Sequence, residues 1–178
     1  MKSKLLTFFL ITIFLLSIIV QVIPITSATI NPITLVQGPT QGKIVGYGVD
    51  NFAVTLTDTP TDGNLLILVF GSGNTPATSI TGIVETGVTW TLQINLEATG
   101  VIIANEIWVG VVGAGASKTI SITCSSGNFP YGGVANVVEF SGLETTGFLD
   151  KTASTSGTST SSSTGTTATT TIANELCI

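Results

Sequence analysis

The chain has 178 residues, 8% charged and 43% apolar, with a formal net charge of −5 and neither histidine nor arginine. Beyond residue 28 only Lys43, Lys118 and Lys151 oppose ten acids, a net −7, which argues against binding nucleic acid or anionic lipid. Polarity comes instead from Thr, Ser, Asn and Gly, residues that suit pleated surfaces and tight turns.

Lys2 and Lys4 precede an apolar run from Leu5 to Val20, followed by Pro24 and the small residues Thr26-Ser27-Ala28. This is the layout of an export signal, with cleavage expected after Ala28. An uncleaved membrane anchor is the alternative. The run spans only about 24 Å as a helix, short of the roughly 30 Å hydrocarbon core. Either way residues 29–178 are expected outside the cytoplasm, secreted or at the cell surface, as one domain.

That domain reads as a series of short strands. Ile33 to Val36 opens it, and Gly38-Pro39 marks a turn. Val54-Thr55-Leu56-Thr57 alternates apolar and polar side chains, as a half-buried strand does. Pro60-Thr61-Asp62-Gly63 is a turn, and the continuous apolar run Leu65 to Phe70 predicts a central strand covered on both faces. Val88 to Ile94 alternates again, with Val88, Trp90, Leu92 and Ile94 expected to face inward. Val101 to Val112 is a long strand with a bend near Asn105, and Lys118 to Cys124 is the cleanest alternation in the chain. Val134 to Phe140 sets Val134, Asn136, Val138 and Phe140 against Ala135, Val137 and Glu139. No segment after residue 28 has helical periodicity, so the expected fold is all-β: one antiparallel sandwich, jelly-roll or immunoglobulin-like.

Residues 152–171 are almost entirely Ser, Thr, Gly and Ala. A flexible, O-glycosylated linker is one reading. The other, favoured by the β-propensity of Thr, is a strand over Thr166–Thr171 after a loop at Ser161–Gly165. An internal echo supports the strand: a Thr-rich run precedes Asn64-Leu65-Leu66-Ile67, and another precedes Asn174-Glu175-Leu176-Cys177-Ile178. Cys124 has the parity of a core residue, and Cys177 lies beside Leu176. Two unpaired thiols are expected, with a Cys124–Cys177 bridge as the alternative.

Several short motifs carry a resemblance. They are Pro60-Thr61-Asp62-Gly63-Asn64-Leu65-Leu66-Ile67, Val88-Thr89-Trp90-Thr91, Glu106-Ile107-Trp108 and Val137-Val138-Glu139-Phe140-Ser141-Gly142-Leu143. Leu149-Asp150 and Ala168-Thr169-Thr170-Thr171-Ile172-Ala173-Asn174-Glu175-Leu176 complete the set. Over roughly residues 33–178 the chain resembles β-sandwich modules of prokaryotic secreted and cell-surface proteins, of adhesin or filament-subunit type. The resemblance implies a sandwich on an exported protein and brings no catalytic residues. In such modules the Ala-Asn-Glu-Leu segment runs on into further strands. The sandwich is therefore expected to lack one or two C-terminal strands, leaving an edge that a neighbouring subunit can fill.

Without His or Arg the chain has no Ser-His-Asp triad, no Cys-His pair, no histidine zinc site and no arginine clamp. The glycines of Gly110 to Gly115 are wrongly spaced for a nucleotide loop. Asp58, Asp62 and Asn64 hint at a calcium loop, but a Pro-Thr-Asp-Gly turn accounts for them. No metal or cofactor is expected. Glu106 and Glu139 are the candidate glycosidase pair, set against the expectation that each points to solvent. Trp108 and Tyr131 are candidate sugar-stacking platforms, set against Trp108 packing on Ile120 and Val138. The leading expectation is a non-catalytic structural or adhesive module whose partners are surface components or neighbouring subunits. Carbohydrate binding, with a polysaccharide partner, comes second and glycosidase activity third.

Overall fold

The computed structural model describes residues 31–178 except 48, 74–77, 98–102, 126–127, 156–159, 162 and 173–174. The side chains of residues 45, 47, 97 and 128–131 also lie outside the description, and so does the export segment expected over residues 1–28. Among the described residues eight strands follow in chain order: β1 (Thr34–Tyr47), β2 (Asn51–Thr55), β3 (Leu65–Ser72), β4 (Ile80–Val84), β5 (Val88–Glu97), β6 (Ala104–Val112), β7 (Thr119–Cys124) and β8 (Asn128–Ser141). They form two antiparallel sheets, a five-stranded one in the order β1-β8-β3-β6-β5 and a three-stranded one in the order β2-β7-β4. The fold is an all-β sandwich, and no helix occurs among the described residues.

The apolar run at 65–70 becomes β3, the middle strand of the large sheet. Leu66, Leu68 and Phe70 point inward and meet Val54, Ile80, Ile120, Ile122 and Cys124 from the small-sheet side. Phe52 of β2 stacks on Phe70, with ring centroids 6.3 Å apart. Burying each such aliphatic side chain contributes about 1.5–3 kcal/mol. Leu65 and Ile67 point the other way, into a second cluster with Val109, Phe140, Leu143 and Phe148. The chain beyond β8 thus supplies Leu143 and Phe148 to cover the outer face, which is why β3 needs no polar side.

β7 keeps the alternation read from the sequence, with Ile120, Ile122 and Cys124 buried and the residues between them exposed. On β8, Ala135, Val137 and Glu139 face inward.

Three expectations need correction, and one strand, β4, is additional to them. Gly38-Pro39 is not a turn between strands. β1 runs through it, adjusting register against β8 between Leu35 and Gln37 and again between Gln37 and Thr40. The inward series on β5 stops after Trp90. Leu92 keeps its register opposite Trp108 but is 40% exposed on this outer strand, and a bulge at Gln93 then breaks the period and pairs Ile94 with Ile107, which belongs to the outer cluster. β4 was not legible as a strand. Finally, Thr166–Thr171 is exposed and irregular, and residues 175–178 form no strand. This tract has no apolar side to bury and no sheet edge paired with it, so context overrides propensity. The chain instead returns to Asp150, whose carboxylate accepts bonds from Thr171 N at 2.6 Å and Thr171 Oγ1 at 2.7 Å. Lys151, and after it Thr171, hold that carboxyl well below its usual range. Cys124 is buried, Cys177 is exposed, and both thiols are free.

The two flanks of the sandwich differ. At one, β1 lies directly on β2: a Cβ at Gly42 would come within 2.7 Å of Val54 Cγ2 and 2.8 Å of the Ala53 carbonyl oxygen. Only glycine permits that approach. The other flank carries the outer strands β4 and β5. There Val84 is 71% exposed and Leu92 40% exposed.

Candidate functional site

Strand parity puts the acids where the sequence reading did not. Glu106 pairs across the ladder with Phe70, and Glu139 with Leu66, so both share the inward face of β3. Glu106 is 1% exposed and Glu139 0% exposed. The expectation that they point to solvent is overturned.

Each is saturated by uncharged donors, in keeping with a chain so poor in cations. Oε1 of Glu139 accepts from Thr61 N at 2.9 Å and Asn64 Nδ2 at 2.6 Å, and Oε2 accepts from Gln37 Nε2 at 2.6 Å. Gln37 in turn closes a two-way bond with the backbone of Asp58, at 3.1 and 3.0 Å. Glu139 therefore fastens the β2–β3 connection and β1 to β8. Of the residues that hint at a calcium loop, Asn64 serves this clamp through its side-chain amide and Asp58 through its backbone. Among the described residues no cluster of three or more potential metal ligands occurs.

Glu106 performs the same service at the opposite end. Its Oε1 accepts from Ile80 N at 2.9 Å, tying the start of β4 to the large sheet, and its Oε2 accepts from Trp108 Nε1 at 2.6 Å. Desolvation first, then the charges of Glu106 and Asp50, push the nearby Cys124 thiol up to about 12. That thiol is inert at neutral pH.

Glu106 and Glu139 do not face each other. β3 lies between β6 and β8, and the two acids sit four positions apart along it. At ~3.3 Å per residue and ~4.8 Å per strand, their backbones are about 16 Å apart, and a glycosidase pair needs carboxyls within about 9.5 Å.

Trp108 is half-buried and packs on the core cluster that contains Ile120. Val138 is not its neighbour, because Val138 belongs to the outer cluster. Tyr131 lies in β8, and its side chain, with the surface expected of it beside Trp108, lies outside the described residues.

A third buried acid was not singled out from the sequence. Glu85, at the corner between β4 and β5, is 7% exposed. Its Oε2 accepts from Trp90 Nε1 at 3.2 Å, while its Oε1 has no partner. Trp90 reaches it by lying over Gly110, where a Cβ would come within 3.0 Å of indole atoms Cδ2 and Cε2. The ladder places Trp90, Gly110, Leu66 and Glu139 in one row across the sheet, so Glu85 stands at the Glu139 end of the sandwich. Burial, the larger effect, and the Glu139 charge push the Glu85 carboxyl up to about 7 against the opposing Trp90 bond.

Comparisons with protein-family models, curated proteins and solved structures found no match.

Proposed function

We propose that this chain is a non-catalytic, exported structural or adhesive module, of the kind found on prokaryotic surfaces, and that it works by contact between sandwiches. The observation that carries the reading is the contrast between flanks. One is closed by β1 on β2, and the other presents the outer strand β4 with Val84 exposed. An outer strand offers unpaired backbone donors and acceptors to an added strand. The inward-facing acids support the reading too, since Glu106 and Glu139 spend their oxygens on holding connections and strands together. The Trp108 N–H is likewise committed to Glu106, which favours a packing role over a sugar platform.

The test is light scattering and electron microscopy of the purified protein across a wide concentration range. Ordered oligomers or filaments that disappear in Val84→Lys support the proposal. A monodisperse monomer at every concentration, with no retention on cell-surface preparations, overturns it.

A further inference from the structure

We propose that Glu85 is a proton-operated latch: in its neutral form it holds the corner between β4 and β5 closed, and on ionising it lets that corner open. The geometry carries this. Glu85 is the buried acid with a single donor, Trp90 Nε1, and one oxygen facing no partner. Glu106 and Glu139 are equally buried, yet both oxygens of each accept a bond. A neutral carboxyl tolerates such a place, whereas an ionised one wants donors the site does not supply.

The charged surroundings point the same way. From β8, Glu139 faces the corner and its charge opposes ionisation. The spans of β2, β3 and β4 contain no acidic or basic side chain. β6 contributes only Glu106, at the far end beside Cys124 of β7 and Asp50. Lys43 of β1 and Lys118 before β7 are exposed. No cation is therefore set against Glu85 among the described residues. The corner itself is held through backbone bonds: Val88 N donates to Glu85 O at 3.3 Å, Ser117 N to Thr86 O at 2.9 Å and Gly113 N to Gly87 O at 2.7 Å.

The sign follows from linkage. A carboxyl raised from 4.5 to about 7 on folding favours the closed form fully below pH 4.5. That advantage drains away as pH climbs from 4.5 to 7, and above 7 the corner stays at its loosest. Because β4 is the outer strand of the small sheet, the latch governs when its residues can exchange partners.

Two measurements test the proposal. In the wild-type protein, the side-chain carboxyl carbon of Glu85 followed by NMR should titrate near pH 7; a midpoint near 4.5 overturns the idea without any variant. Hydrogen exchange of the Val88, Gly113 and Ser117 amides is then compared between wild type and Glu85→Gln at each pH, so that intrinsic base catalysis cancels. Wild type should exchange about tenfold faster at pH 8 and equally at pH 4.5, with the Cys124 amide unaffected. A ratio that does not change with pH overturns the latch. Should Glu85→Gln not fold, Trp90→Phe removes the one donor and should move the Glu85 midpoint upward; an unmoved midpoint has the same overturning force.

Discussion

The two flanks of this sandwich solve the edge problem in different ways. At the β1–β2 flank the backbones touch through Gly42, and Glu139 collects Gln37, Thr61 and Asn64 into one clamp. At the β4–β5 flank Glu106 joins Ile80 N to Trp108, Trp90 lies over Gly110, and the corner between the strands is held by backbone bonds and by Glu85, whose side chain accepts a single bond. One flank is locked by polar groups with every oxygen used, and the other keeps a buried oxygen in reserve. A sandwich built this way has a permanent side and an adjustable side.

Substitutions should separate the two. The largest effect is expected for Glu139→Ala, which strands three buried or half-buried donors and frees the β2–β3 connection. A loss of about 3–5 kcal/mol in urea unfolding is expected. A loss under about 1 kcal/mol would mean that the clamp is ornamental and the flanks are alike. Gly42→Val comes next, at about 2–4 kcal/mol, because its side chain must displace the Ala53 carbonyl as well as Val54. Trp108→Phe keeps an aromatic ring, smaller than the indole, and removes the bond to Glu106, so thermal melting should report about 1–2 kcal/mol. The smallest effect belongs to Gly82→Ala on β4, where a new Cβ meets nothing within 4 Å. Its stability should stay within about 0.5 kcal/mol of wild type, or rise slightly through the stiffer unfolded chain. A large loss there would show that the adjustable side is packed as tightly as the other.

Much of this was legible in the residues. The alternation of 118–124 and the apolar run of 65–70 each became the strand they predict, at the expected place in a sheet. β4 was hidden because Ile80-Thr81-Gly82-Ile83-Val84 breaks its own period, with a register shift between Ile80 and Gly82. The Thr-rich tract misled in the opposite sense, since propensity without an apolar side or a free partner does not make a strand. The acids were half legible. Ala104, Glu106 and Trp108 share a parity, as do Ala135, Val137 and Glu139, and that parity places both acids inside. The expectation that a lone Glu seeks solvent outweighs it, because such residues are ordinarily exposed. Amide and indole N–H groups, which sequence spacing does not bring together, receive the buried carboxylates. Glu85 had no such signal: its burial comes from a corner, where side-chain direction has no period.

The placement of the three lysines has a consequence for survival among digestive enzymes. A protease that cuts after lysine or arginine finds, beyond residue 30, only Lys43, Lys118 and Lys151. Lys43 sits within a strand paired to β8, and the Lys118 carbonyl accepts the Leu56 amide at 2.8 Å. Lys151 lies past the last strand, and its ammonium is held by Asp150. A cut there would trim away the hydroxyl-rich segment while every strand of the body stayed in place.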